Sequence, residues 1–181
     1  ASVSTSRGIV CMGGNDASQT YADVILLKWN PQRESVERQA LPAFPEPCAN
    51  ASAAVIGERI YVAGGTVGLG LETAQTIFWS LDLSRVDSGN AAWEQLPPWP
   101  GPSRAFAIAA AQNNGVNDCV YVISGRRLNE QGNTEFLTDV YEFTPGKSDP
   151  WRRRADAPRC VMAGTGIAVG QSHIFILGGA D

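Results

Sequence analysis

Short apolar runs broken by glycine, proline and polar turns govern the whole chain, and no helix-length stretch places its apolar residues at the 3.6-residue period of an amphipathic helix. One run returns four times: IVCMGG ending at Gly14, IYVAGG at Gly65, VYVISG at Gly125 and IFILGG at Gly179. These glycines are 51, 60 and 54 residues apart, which marks an internal repeat. A small apolar strand precedes the glycine-ended one in three copies: Ala51 to Ile56, Ala105 to Ala111 and Gly164 to Val169. Between the two lie hairpin turns at Gly57 and Glu58, at Asn114 and Gly115, and at Gly170 and Gln171. A third strand follows a polar loop, at Asp23 to Trp29, Thr76 to Leu83 and Asp139 to Phe143. A polar fourth strand opens at Trp93 in one unit and Trp151 in another, and proline-rich segments such as Leu96 to Pro102 close it.

Numerous short strands punctuated by turns predict an all-β chain. A period of about 50 residues with four strands per unit predicts a kelch-type β-propeller, whose sheets pack radially as blades around a channel. The chain then reads as a single partial propeller domain, with blades at about 1–45, 46–100 and 101–157 and a half blade at 158–181. Glycine pairs are expected where inner strands crowd near the axis, and Trp93 and Trp151 as apolar wedges between sheets. Three blades and a half leave a ring open. The expectation is therefore a piece of a larger ring, completed by the remaining blades of the same propeller.

Composition removes several classes of function. Apolar residues make up 44% of the chain, the net charge is -4, and no apolar run approaches the roughly 20 residues that span a bilayer, so no membrane partner is expected. Acidic residues outnumber basic ones, which offers no broad positive field to nucleic acid. Ala1 to Arg7 holds no basic region followed by an apolar stretch, so no signal peptide is read, as would also be true of a mature, processed chain. Cys11, Cys48, Cys119 and Cys160 lack CxxC spacing and His173 is the single histidine, so neither a metal site nor a cofactor is expected. Cys11 and Cys119 sit inside strand-like apolar runs and read as buried small hydrophobes in preference to disulfide partners. GTGIAVG at Gly164 to Gly170 opens no helix and so is no dinucleotide loop. The Asn50-Ala51-Ser52 sequon and the Arg152 to Arg154 run read as chance and as a solvated blade edge.

The segment from Val120 to Asp181 joins a glycine-ended strand, an Asn/Glu/Gly loop, a DVYEF strand and a proline-led small-residue strand. It resembles the kelch stretch of N-acetylneuraminate epimerases. Arg7 to Gly65 is similar to the last blade of that family running directly into its first, the order of the cyclically permuted mutarotase group. The resemblance implies a six-bladed ring, a bacterial protein exported to the periplasm or secreted, a possible homodimer, and interconversion of the anomers of N-acetylneuraminate. Such chemistry needs a base at the anomeric hydroxyl, an acid at the ring oxygen and a cation for the sugar carboxylate. In the family a glutamate follows a glycine, with an arginine a few residues on. Here the glycine-ended strands lead into Asn15, Thr66, Arg126 and Ala180, so no catalytic residue is assigned.

Residues just after the glycine strand, or at the start of the first strand, should reach the channel mouth. By that rule Asn15, Asn50, Thr66, Arg104, Arg126, Arg127 and Asp181 are candidate sialic acid contacts. Two guanidiniums at Arg126 and Arg127 would attract an anionic sugar. Arg104, following Pro102 and Ser103, reads first as a structural bracket and only second as a ligand contact. The rival readings of function are a non-catalytic kelch module that binds another protein, and one that binds carbohydrate without turnover.

Overall fold

The computed structural model describes residues 1–179. Its four sheets follow the repeat. The first blade comprises β1 (Ser2–Thr5), β2 (Gly8–Asn15), β3 (Thr20–Asn30) and β4 (Ser35–Ala40). The second has β5 (Ser52–Ile56), β6 (Arg59–Ala63), β7 (Phe78–Asp82) and β8 (Trp93–Gln95). The third has β9 (Ile108–Asn113), β10 (Asp118–Leu128), β11 (Thr134–Phe143) and β12 (Trp151–Arg154), and β13 (Thr165–Val169) pairs with β14 (His173–Leu177). Each four-stranded sheet is an antiparallel meander in chain order. Helical backbone among the described residues is confined to 3-10 turns at Leu71–Thr73 and Leu83–Arg85.

The alternation of side chains along a strand explains how these sheets stack. On β6, Ile60 and Val62 join Val10, Met12, Val24 and Leu26 of the first blade in one buried cluster. Their neighbours Tyr61 and Ala63 face the other way and join Val120, Val122, Tyr141 and Phe143 of the third blade. The strand is apolar without a break because both of its faces are covered. Trp93 and Trp151 act as the expected wedges. Each closes a seam with its indole Nε1, Trp93 donating to the Pro42 carbonyl at 2.8 Å and Trp151 to the Pro97 carbonyl at 2.7 Å.

Three expectations need correction. The innermost strands are β1, β5, β9 and β13, which touch one another across blades; the glycine-ended strands stand second from the axis. Small residues in the first strand, not the glycine pair, permit that convergence. The first strand of the third blade begins at Ile108 instead of Ala105, because Ala105 makes only an isolated bridge to Arg126 and Phe106 takes a left-handed backbone with φ 59°. Finally, Arg152 and Arg153 are exposed on the edge strand as expected, but Arg154 is tied inward. Its Nε and Nη2 donate to Glu142 Oε2 at 2.8 and 2.6 Å.

Glu142 is 1% exposed and also accepts from Tyr121 Oη at 2.8 Å and Asn114 Nδ2 at 2.9 Å. Burial alone would raise its carboxyl, but the donors Asn114, Tyr121 and Arg154 outweigh it and hold Glu142 below the usual range. A depressed folded pKa stabilises the fold above the unfolded value of about 4.3, and that contribution is lost as pH falls through the folded one. Melting temperature is therefore expected to drop on acidification below about pH 4, and Glu142→Gln should be less stable at neutral pH with a flatter acid limb. An acid limb of unchanged steepness in the variant would remove Glu142 as its source.

Candidate functional site

The first strands converge on a cavity of about 810 Å³. Its wall is built from small and neutral residues, among them Ser2, Ser4, Ser52 and Thr165, with Asn50, Phe106 and Ala163 at the entry to β5, β9 and β13. Among the described residues, no carboxylate, lysine, arginine or histidine side chain lines it. Nor do the described residues hold a cluster of three His, Cys, Asp or Glu that could bind a metal. The four cysteines are free, and burial pushes the Cys48 thiol up to about 12, which leaves it unreactive. What this wall offers a ligand is hydroxyl and amide hydrogen bonding, one aromatic ring and a low-dielectric surface.

Asn50, Phe106 and Ala163 occupy the same place in successive blades and share a left-handed backbone, with φ of 53°, 59° and 53°. They are linked through the main chain. The Phe106 N–H donates to the Asn50 carbonyl at 2.9 Å, and the Ala163 N–H to the Phe106 carbonyl at 3.0 Å. This chain of bonds ties the blade entries together along the cavity wall.

The structure separates the residues singled out from the sequence. Asn50 lines the cavity, and its amide Nδ2 donates to Thr66 Oγ1 at 3.2 Å, while Thr66 itself is 1% exposed. Arg126 does not border the cavity. Its guanidinium lies over the ring of Phe106, which does, at 4.5 Å from the centroid. The Arg126 Nε is buried without a hydrogen-bond partner among the described residues. These three candidates, joined through Phe106, form one group. Arg127 pairs with Glu135 at 2.6 Å, and Asn15 is exposed with its amide on the Asp16 carbonyl. Arg104 is fully buried as a bracket, with its two terminal guanidinium nitrogens, Nη1 and Nη2, on Asp139. Asp181 lies outside the described residues. The residue that sequence reasoning missed is Phe106, although a signal was present: it is the one aromatic in the small-residue run Ala105 to Ala111.

Comparison with known proteins agrees with this architecture. The family model described as N-acetylneuraminate epimerase matches residues 41–181. An N-acetylneuraminate epimerase of Haemophilus influenzae (strain PittEE) is 28% identical over 147 residues, covering 81% of this chain and 35% of the relative. That of Pasteurella multocida (strain Pm70) is 29% identical over 140 residues, covering 77% and 33%. The chain thus spans about a third of the length of the curated relatives it matches. A solved structure described as "Structure of YjhT" superposes with a TM-score of 0.66 at 17% identity, over 86% of this chain and 45% of that one. At that identity the likeness shows the fold alone.

Proposed function

Because the chain belongs to the N-acetylneuraminate epimerase family, we propose that it builds part of the sugar channel of a sialic acid mutarotase, which interconverts the α and β anomers of N-acetylneuraminate. One observation carries this reading: the matched residues 41–181 include three of the four strand entries that converge on the cavity. Ring opening moves a proton from the anomeric hydroxyl and delivers one to the ring oxygen, so it needs a base and an acid close to the sugar. The described wall supplies neither. Its share of the work is to bind and orient, with Asn50 and the serine hydroxyls as hydrogen-bonding groups and Arg126 as the nearby charge complementary to the sugar carboxylate. The same reading has further blades of the ring covering the open faces of the first and last sheets, a pairing of two copies, and a periplasmic or secreted location.

A second reading, binding of carbohydrate without turnover, is favoured by the absence of ionisable side chains from the wall among the described residues. Proton NMR of freshly dissolved N-acetylneuraminate discriminates between the two. With the complete ring present, the anomer signals are expected to reach equilibrium faster than in buffer. Signals that shift or broaden with no gain in rate would replace turnover by binding, and spectra untouched by the protein would end both readings.

A further inference from the structure

A left-handed backbone is disfavoured for every L residue with a Cβ and is a true outlier for a bulky one, whereas glycine adopts it freely. At the three equivalent blade entries the chain carries Asn50, Ala163 and, in the middle, Phe106 with φ 59°. Asparagine tolerates that geometry and alanine is small. Phenylalanine is the least suited of the three, so its presence calls for a compensating gain. Core packing does not provide one: among the described residues, Phe106 belongs to neither apolar cluster and is only partly buried. Its ring contact is the Arg126 guanidinium at 4.5 Å, whose Nε has no hydrogen-bond partner among the described residues. A strained backbone and an aromatic ring thus meet on the wall of the cavity, and the ring carries a buried, unpaired donor against it from outside that wall.

We propose that Phe106 is the specificity-determining platform of this wall, against which the apolar C–H face of a pyranose packs. This rests on the sugar-binding reading above. A flat ring set among hydroxyls and an amide matches the two-sided chemistry of a sugar, whose ring presents C–H bonds to an aromatic and hydroxyls to Asn50 and Ser52. The Arg126 guanidinium fixes the ring by cation–π contact, and the chained backbone bonds to Asn50 and Ala163 hold it in register. Strain that does nothing for stability here pre-orients a binding surface.

Calorimetric titration with N-acetylneuraminate, beside thermal melting of each protein, tests this. Phe106→Gly removes the strain and the ring together, so it should melt at the same or a higher temperature yet bind about tenfold more weakly. Phe106→Leu keeps apolar bulk without a ring face and should bind as poorly as the glycine variant, while Phe106→Tyr should restore affinity. In turnover the loss should fall on KM and not on kcat. Unchanged affinity in Phe106→Gly overturns the platform and leaves the sugar reading standing. A lowered melting temperature in that variant makes the ring a structural prop and also overturns it. A wild-type protein that does not bind N-acetylneuraminate removes the sugar reading and this proposal together.

Discussion

Replacing Arg104 by methionine is expected to destabilise the protein by about 3–5 kcal/mol, the loss typical of a buried ion pair deprived of one partner. The guanidinium is 0% exposed and holds Asp139 with two parallel bonds of 2.8 Å, Nη1 to Oδ1 and Nη2 to Oδ2. Nη1 also donates to the Ser124 carbonyl at 3.0 Å, and the Cζ lies 5.4 and 5.5 Å from the ring centres of Trp99 and Tyr141. The bracket therefore ties the entry of the third blade to its second and third strands. Methionine preserves much of the volume but leaves Asp139, whose side chain is 12% exposed, as a buried charge deprived of its two-bonded partner. The double variant Arg104→Met, Asp139→Leu should regain a large part of the loss, because removing both partners also removes the desolvation cost. Denaturant midpoints at constant m measure both effects. A single variant that loses less than about 1 kcal/mol would show that the pair is not what holds this blade entry.

Arg104 also shows where sequence reasoning stops. The repeat, the order of strands in each blade and the tryptophan wedges were legible because a blade stacked on both sides imposes them along the chain: unbroken apolar second strands, small first strands, turns at fixed offsets. Arg104 reads first as a bracket, yet the acceptor that makes it one was not legible. Arg104 and Arg126 stand on the two sides of the bridge between Ala105 and Arg126, and both looked like residues of the channel mouth. What distinguishes them is Asp139, brought beside Arg104 by the pairing of β10 with β11, a partner that no local pattern announces. Phe106 escaped for the opposite reason. A rule that looks for polar residues near a mouth passes over an aromatic, and a left-handed backbone at a non-glycine residue leaves no mark in the sequence. Arg154 was misread as surface charge because its acceptor, Glu142, lies across the ladder and not along the strand.

The seam between the first two blades is set by backbone contact, and Gly13→Ala should break it at a cost of roughly 2–5 kcal/mol, combining left-handed strain with overpacking. Gly13 has φ +57°, and a Cβ there would sit 2.0 Å from the Cys48 carbonyl oxygen and 3.1 Å from Phe44 Cε2. The oxygen cannot swing aside as a side chain would, since it already accepts from the Gly14 N–H at 2.9 Å and belongs to the segment that enters β5. In the second blade Gly64 meets the same limit, with the Arg104 carbonyl oxygen 2.6 Å from the Cβ position. The third blade places Ser124 there, also left-handed at φ 58°, and its hydroxyl accepts from the Val161 N–H at 2.8 Å. At that seam a side chain supplies the contact that backbone supplies at the other two, which is why a Cβ is admitted once and excluded twice. Gly14→Ala is the control, because φ +116° strains an alanine while nothing lies within 4 Å of its Cβ. Because φ +116° is the harsher angle for an L residue, any excess loss in Gly13→Ala over Gly14→Ala is a lower bound on the contribution of the blade-to-blade approach. A loss in Gly13→Ala below about 2 kcal/mol, the cost of a left-handed residue alone, would mean that the seam yields to an added methyl group, and that the repeated glycine is kept for its backbone angle and not for the closeness of the neighbouring blade.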